Sequence, residues 1–346
     1  MEKNIEDWRN WFGANQGIDE PYPFTILHPN SVSEACTYLS KYPNNMVFSG
    51  GTEVVNNLKR GIITPEYLIS LSRVPELKGI KLINNEIHIG SATVIKEIIN
   101  NNSVKVKLPV LYEACLEVGV EQIRNQGTIG GNILQAPRCL YYLSGFPCFM
   151  NFAEGCPAEE SEQFEDIQIF NESSYCKAVL GSDLASALVA LDARIEIANL
   201  DGLYTRKLSS IYSDINISRK LNNISPFEII TKIIIPIDQE LTGTYIKKTL
   251  KNSGGIGTVG LAITMSISNN QTEKSRIVFS GVAAQPFRAS FLERIIENQS
   301  IYELNEILKT EISNLKTHDV RKNIKLGICI RLLEEALKRI QKHQLT

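Results

Sequence analysis

No stretch of this chain is apolar for the ~20 consecutive residues that a membrane-spanning helix needs. Its opening, Met1-Glu2-Lys3-Asn4-Ile5-Glu6-Asp7-Trp8, is acidic and lacks the apolar core of an export signal. Neither a membrane partner nor export is expected, and the reading is cytoplasmic. There is no basic surplus either. Lys and Arg number 36 against 38 Asp and Glu, a net charge of −2, and no lysine or arginine run or aromatic-basic ladder breaks that balance. Nucleic acid is therefore not an expected partner. Histidine is scarce: His28, His88, His318 and His343 are scattered, with no obvious carboxylate or nucleophile partner. The chain also lacks a nucleophile elbow, a metalloprotease helix, the G-x-G-x-x-G fingerprint and a lysine-bearing phosphate loop. Those absences set aside a triad hydrolase, a zinc protease, a Rossmann dehydrogenase and an ATPase. A cofactor must carry whatever reaction the protein performs.

What is present begins with mass enough for a core. A chain of 346 residues, 43% hydrophobic, can fill two or three domains. Seven cysteines without an export signal argue against a disulfide framework, because cytosolic thiols stay reduced. They divide by context. Cys36, Cys115 and Cys329 sit on the apolar stripes of expected helices and read as small buried hydrophobes. Cys139, Cys148, Cys156 and Cys176 fall together in one segment and need a separate account.

Ile5, Trp8 and Phe12 fall at helical spacing in an N-terminal arm, expected to dock on its own domain. Ser31-Val32-Ser33-Glu34 has capping-box spacing ahead of Ala35, Cys36 and Leu39, which predicts a helix that Pro43 stops. Met46-Val47-Phe48 predicts a short buried strand, and residues 54–60 a helix with Gly61 as its C-cap. Residues 67–71 predict another strand, and residues 80–90 a hairpin around Asn84-Asn85. Thr93 is expected to cap a helix running to Ile99, residues 108–118 a helix ending at Gly119, and Asp183 to begin an apolar helix. Arg194-Ile195-Glu196-Ile197-Ala198 resumes strand alternation. From about Ile233 the pattern becomes strands around Tyr245, 261–266 and 277–280, then three helical stretches, a separate α+β unit.

Two glycine pairs stand out: Ser49-Gly50-Gly51-Thr52 before a helix, and Thr128-Ile129-Gly130-Gly131-Asn132. Backbone without Cβ adopts left-handed dihedrals and lets several N–H groups converge on one anion. A helix N-terminus adds to that attraction. Either pair alone reads equally well as a structural turn. Two in one domain, each beside Thr or Asn, favour a dinucleotide.

Ser49-Gly50-Gly51-Thr52-Glu53, then Leu71-Ser72-Arg73-Val74-Pro75-Glu76-Leu77-Lys78-Gly79-Ile80, then Ile123-Arg124-Asn125-Gln126-Gly127-Thr128-Ile129-Gly130-Gly131-Asn132 resemble the FAD-binding medium subunit of the molybdenum hydroxylase family. That family includes xanthine dehydrogenase, carbon monoxide dehydrogenase and 4-hydroxybenzoyl-CoA reductase, and the likeness runs from about Pro29 to near the end of the chain. It implies an α+β fold: a two-subdomain FAD-binding domain of the vanillyl-alcohol-oxidase (PCMH) type, then a C-terminal antiparallel sheet with a helical bundle. The expected divisions are an arm at 1–28, the FAD domain at 29–235 (subdomains 29–79 and 80–235, with an insertion at 135–180) and the C-terminal domain at 236–346.

By motif match, the resemblance implies that Ser49, Gly50, Gly51 and Thr52 form one phosphate loop, with Glu53 next to it among the cofactor-binding residues, and Thr128, Gly130, Gly131 and Asn132 a second. It places Asp183 at a flavin-contacting aspartate and Lys247 where the C-terminal domain reaches back toward the ring. Two departures stand against it: Gly254-Gly255 where the family usually has an acid-aromatic pair, and Glu53 in place of a shorter polar residue.

Most family members pass almost directly from the second glycine motif to the aspartate, and this chain inserts about forty residues. Arg138-Cys139-Leu140-Tyr141-Tyr142 with Cys148, Cys156 and Cys176 is similar to the loop of the 4-hydroxybenzoyl-CoA reductase flavin subunit that carries an extra [4Fe-4S] cluster. Seven residues separate Cys148 from Cys156, as in that subunit, while one outer gap is shorter and one longer. A cluster needs four thiolates, which a loop can supply from distant positions. Zinc is the other metal that takes four cysteines, usually as two close pairs, and a loop of inert thiols is the third reading.

The resemblance implies an electron-transfer subunit. A molybdenum-bearing large subunit would handle substrate and a small subunit with two-iron clusters would pass electrons. FAD would then connect them to ferredoxin, or to NAD if no cluster is present. A flavin-free scaffold subunit of the same complex is the alternative, motivated by Gly254-Gly255. A stand-alone reductase of the same fold, such as the cell-wall UDP-sugar reductase, has no substrate-binding acid or serine motif in its favour.

Overall fold

The computed structural model describes residues 23–137, 139–151, 153–159, 168–170, 175–212, 222–249 and 259–344. The expected arm helix, with both tryptophans, and the Gly254-Gly255 pair lie outside the described residues.

The first sheet is parallel, in the order β1 (Thr25–Leu27), β3 (Tyr67–Ser70), β2 (Asn45–Phe48). Its crossovers are α1 (Val32–Lys41) and α2 (Val54–Lys59). Helix α1 starts at the capping signal: Ser31 Oγ accepts from Glu34 N at 3.1 Å. The return half of the box is displaced, because Glu34 accepts from Asn30 N at 2.7 Å and from the Tyr38 hydroxyl at 2.6 Å. Ala35, Cys36 and Leu39 are buried on one stripe of that helix.

The second sheet is antiparallel, in the order β4 (Ile80–Ile83), β5 (Glu86–Gly90), β8 (Ile229–Pro236), β6 (Arg194–Asn199), β7 (Gly202–Lys207). Asn84 and Asn85 take the left-handed dihedrals of the hairpin, at φ 46° and 62°. β8 is apolar almost throughout because both faces are covered: α1 packs on one side, with Ala198 and Ile229 joining its core, and a helical layer packs on the other. Continuous rather than alternating hydrophobicity is what such burial requires.

That layer comprises α3 (Ile95–Asn100), α4 (Asn102–Lys107), α5 (Pro109–Glu117), α6 (Glu121–Gln126), α7 (Ile129–Ile133) and α9 (Asp183–Ala190), while α8 (Leu140–Leu143) lies in the cysteine segment between α7 and α9. Thr93 does not cap α3. Its hydroxyl bonds Gly79 N and O, at 2.9 and 3.2 Å, and pins the hairpin to the glycine segment before it. The helix begins two residues later without a side-chain cap.

The third sheet is antiparallel, in the order β12 (Phe287–Arg288), β11 (Gln271–Ser280), β10 (Val259–Ser268), β9 (Leu241–Lys248). Alternate residues serve two cores. Tyr245, Ala262 and Val278 join the core of the second unit, against α5 and α9. Ile246, Leu261, Ile263, Ile277 and Phe279 join a separate core under α10 (Ser290–Ile296), α11 (Leu304–Ser313) and α12 (Val320–Gln344). Among the described residues no cysteine is in a disulfide, and Cys36, Cys115 and Cys329 are buried on α1, α5 and α12. Among them, too, no helix is long and apolar enough to cross a membrane.

Candidate cofactor site

The three sheets meet around a cleft with a volume of about 340 Å³. One rim is the turn between β2 and α2. Gly51 has φ 69°, so the left-handed backbone expected of a glycine pair is real at this residue. Gly50 is required for a different reason. A methyl there would overlap the Gln126 carbonyl oxygen and stand 2.7 Å from its carbon, so the first turn rests on the backbone of the second.

The second glycine motif is a five-residue helix rather than a bare turn. Thr128 caps α7, its hydroxyl accepting from Gly131 N at 3.3 Å. Gly130 lies against Ser91, whose carbonyl oxygen a methyl would meet at 2.8 Å. Both motifs thus face the cleft with backbone and short polar side chains.

Asn132 links this rim to the floor. The Ser182 hydroxyl donates to Asn132 Oδ1 at 2.7 Å and accepts from Ala185 N at 3.0 Å, capping α9. The next residue, Asp183, opens that helix with its carboxylate buried. Tyr245 donates to Asp183 Oδ1 at 2.5 Å, and Lys247 Nζ donates to Oδ2 at 2.8 Å and to the Glu117 carbonyl at 2.9 Å. The Lys247 side chain is only 3% exposed, so its charge depends on this pairing. Glu113 accepts from Thr244 Oγ1 and Tyr245 N, both at 2.7 Å, and clamps β9 to α5. Burial, reinforced by the Asp183 charge, holds the Tyr245 phenol well above its ordinary range, and the Cys115 thiol is raised for the same two reasons.

All the residues expected from motif matching, Ser49 to Glu53, Thr128, Gly130, Gly131, Asn132, Asp183 and Lys247, border this one cleft. Glu53 also accepts from Ala136 N at 3.0 Å, tying the first turn to the segment that runs into Cys139. Among the parts of the wall that sequence reasoning missed are Val118, Gly119 and Val120 after α5, and Glu228, Ile229 and Ile230 at the start of β8. Neither carries a local motif. Tyr245 was recognised as part of a strand but not of the site, although it lies two residues before Lys247 and so on the same strand face.

Cys139 also borders the cleft. It packs with Cys176, Ala178, Phe149, Met150 and Ala284 on one side and with Cys156, Tyr141 and Ala158 on the other. Cys148 and Cys176 are each 6% exposed. Burial pushes the Cys176 thiol up to about 12, opposed by a hydrogen bond from the Ala178 backbone and reinforced by Cys156, Cys139 and Cys148. Burial raises Cys139 too, and Cys156 and Cys148 add to the effect. Gln168 fixes the return of the loop, donating to the Cys176 and Ala178 carbonyls at 2.8 and 2.7 Å. Among the described residues, no three His, Cys, Asp or Glu side chains are grouped to hold a metal ion.

The family described as the FAD binding domain in molybdopterin dehydrogenase matches residues 22–238. The chain is similar to the glyceraldehyde dehydrogenase medium chain of Sulfolobus acidocaldarius, 24% identical over 85% of this chain and 87% of that one. It is similar also to the carbon monoxide dehydrogenase medium chain of Hydrogenophaga pseudoflava, 25% identical over 78% of each. In solved structures, a chain of carbon monoxide dehydrogenase from Hydrogenophaga pseudoflava superposes with a TM-score of 0.71 at 22% identity, covering 93% of this chain and 98% of that one. A chain of quinoline 2-oxidoreductase from Pseudomonas putida 86 gives a TM-score of 0.72 at 16% identity, with 92% and 99% coverage. These superpositions show a shared fold.

Proposed function

The chain belongs to the family of FAD-binding medium subunits of molybdenum hydroxylases, with the α+β, PCMH-type fold of that family, and from this membership we propose that it relays electrons within such a complex. On this reading it connects two-iron clusters of a small partner subunit, fed by a molybdenum-bearing large subunit, to an external carrier, ferredoxin or NAD. FAD in the cleft, and a [4Fe-4S] cluster on Cys139, Cys148, Cys156 and Cys176, carry the electrons across this chain. The observation that carries the reading is the position of Cys139, which borders the cleft and packs against Cys176 and Cys156.

The cleft fits a flavin dinucleotide by the chemistry of its rims. Ser49 to Thr52 and Thr128 to Asn132 offer Cβ-free backbone and hydroxyls to a diphosphate. Asp183 and Lys247 would offer a buried carboxylate and ammonium to a bound flavin. Val118, Val120 and Ile123 supply apolar wall. Bound there, a flavin exchanges electrons singly or in pairs, so the protein's task is to bind it, orient it and tune it.

The cysteines fit a cluster by number and environment. Burial holds the Cys139 and Cys176 thiols above their ordinary range, so they ionise reluctantly alone, whereas a coordinating thiol is deprotonated outright by bound metal. A single zinc, with Zn–S near 2.3 Å, needs its thiolates within about 4 Å of one another. Zinc usually takes its cysteines as two close pairs, a spacing that Cys139, Cys148, Cys156 and Cys176 do not have.

The test is anaerobic purification with co-expressed partner subunits, followed by release of the flavin and assay of FAD, iron, sulfide and zinc. One FAD with four extra iron and four sulfide, lost in Cys148→Ser, is the expected result. Stoichiometric zinc without sulfide would overturn the cluster. A colourless chain that takes up no added FAD would make it the flavin-free scaffold.

A further inference from the structure

The cleft floor contains a hydrogen-bonded chain longer than ligand contact requires. The Ser280 and Tyr245 hydroxyls converge on the space above Gly260, Tyr245 donates to Asp183 Oδ1, Lys247 donates to Asp183 Oδ2, and Lys247 donates onward to the Glu117 carbonyl. Only Asp183 and Lys247 border the cleft; Tyr245 lies behind them, fully buried.

The third sheet gives up a side chain to make room for it. Gly260 pairs with Lys247 on β9 and with Ser280 on β11. A methyl at Gly260 would overlap both the Tyr245 and the Ser280 hydroxyls, so the strand carries glycine where those hydroxyls meet. This φ is not one that favours glycine, and the space for the hydroxyls accounts for the residue.

We propose that Tyr245 is a positioning residue: its hydroxyl, held between Ser280 and Asp183, fixes the Asp183–Lys247 pair at the cleft floor and so sets the reduction potential of the flavin bound there. The inference rests on the FAD reading above. Electrons added to a ring beside this pair bring negative charge, which the ammonium favours and the carboxylate opposes. A hydrogen bond from Tyr245 draws charge from the carboxylate and holds it on Lys247, where a charge-assisted bond is strong. Without it, the carboxylate carries more of its charge and the ammonium is less well placed. Both effects lower the potential. Other charged groups packed on these elements are Glu113, held by Thr244 and the Tyr245 backbone, and Glu117, whose charge also reaches the Tyr245 phenol.

The experiment is Tyr245→Phe in the full chain, with FAD bound, measured by dye equilibration for its midpoint potential, by flavin absorbance, and by titration for FAD affinity. FAD should still bind within about threefold of wild type, because no cleft-lining group is removed. The potential should fall by at least about 30 mV, a tenfold loss in the relative affinity for reduced flavin at two electrons per ring. Ser280→Ala, a gentler change that removes the group behind Tyr245, should move it in the same direction by less, and it decides the matter if Tyr245→Phe fails to fold. Unchanged potentials in flavin-loaded variants would overturn this inference alone. A wild-type chain that binds no FAD would overturn the flavin reading and this inference with it.

Discussion

Replacing Gly50 with alanine adds one methyl at the place where the two glycine motifs touch. The new carbon would stand 2.7 Å from the Gln126 carbonyl carbon and 3.3 Å from Gly127 Cα, with the Gln126 oxygen nearer still. Carbon pairs rest at about 3.5 Å or more, so the motifs must part by roughly 1 Å. Every atom met is backbone, and no side chain can swing aside. Overpacking of this kind costs about 1–3 kcal/mol. The cost can fall on stability if the motifs stay together, or on cofactor affinity if they separate, where it corresponds to roughly 5- to 150-fold in Kd.

Urea unfolding of the flavin-free chain and titration with FAD measure the two parts, and together they should reach the expected cost. Gly327→Ala is the control: it lies in the middle of α12 with nothing within 4 Å of the added methyl. There the same change should stabilise by about 1 kcal/mol through helix propensity. A Gly50→Ala chain with wild-type unfolding midpoint and wild-type FAD affinity would refute the backbone contact between the motifs.

Three further outcomes are expected. Asp183→Ala leaves the Lys247 ammonium, 3% exposed, without its carboxylate and should cost about 3–5 kcal/mol in urea unfolding, part of it recovered when Lys247→Met is added. Burial pushes the Cys329 thiol up to about 12 from an ordinary 9.0, so its contribution to stability is complete below pH 9 and lost as pH rises from there toward 12. Cys329→Ala should therefore flatten the alkaline fall in unfolding midpoint, while costing about 1 kcal/mol at pH 7 for one buried heavy atom. Thr128→Ala, which removes the cap of α7, should cost about 1 kcal/mol and raise the FAD dissociation constant in a titration.

Local signals carried much of the fold. The cap at Ser31, the Asn84-Asn85 hairpin and the apolar run after Ser182 each specify their element from within a few residues, and each forms where expected. Thr93 misled because a hydroxyl ahead of an apolar stretch is a cap only when no better partner is near, and the Gly79 backbone is brought to it by β4 and β5. In the site, the glycine pairs were legible as a pattern but not the reason for each glycine: Gly51 answers to its own dihedral, whereas Gly50 and Gly130 answer to Gln126 and Ser91, many residues away. Tyr245 was hidden for a similar reason. Its role depends on α9 lying across β10 and β11, a packing that no window around position 245 encodes.

The floor of the cleft also has a timetable. Both glycine motifs and Asp183 precede β9 in the chain, yet the ammonium and phenol that complete the Asp183 network arrive with residues 241–248, and the hydroxyl behind them only at Ser280. A nascent chain that has folded its first two sheets holds an open cradle whose buried carboxylate still lacks the Lys247 ammonium and the Tyr245 phenol. It can grip a dinucleotide weakly at most until the last sheet closes over it. Cofactor retention in this protein is accordingly a late event of synthesis, and a chain cut before β9 should fold its glycine motifs and still lose flavin on a desalting column.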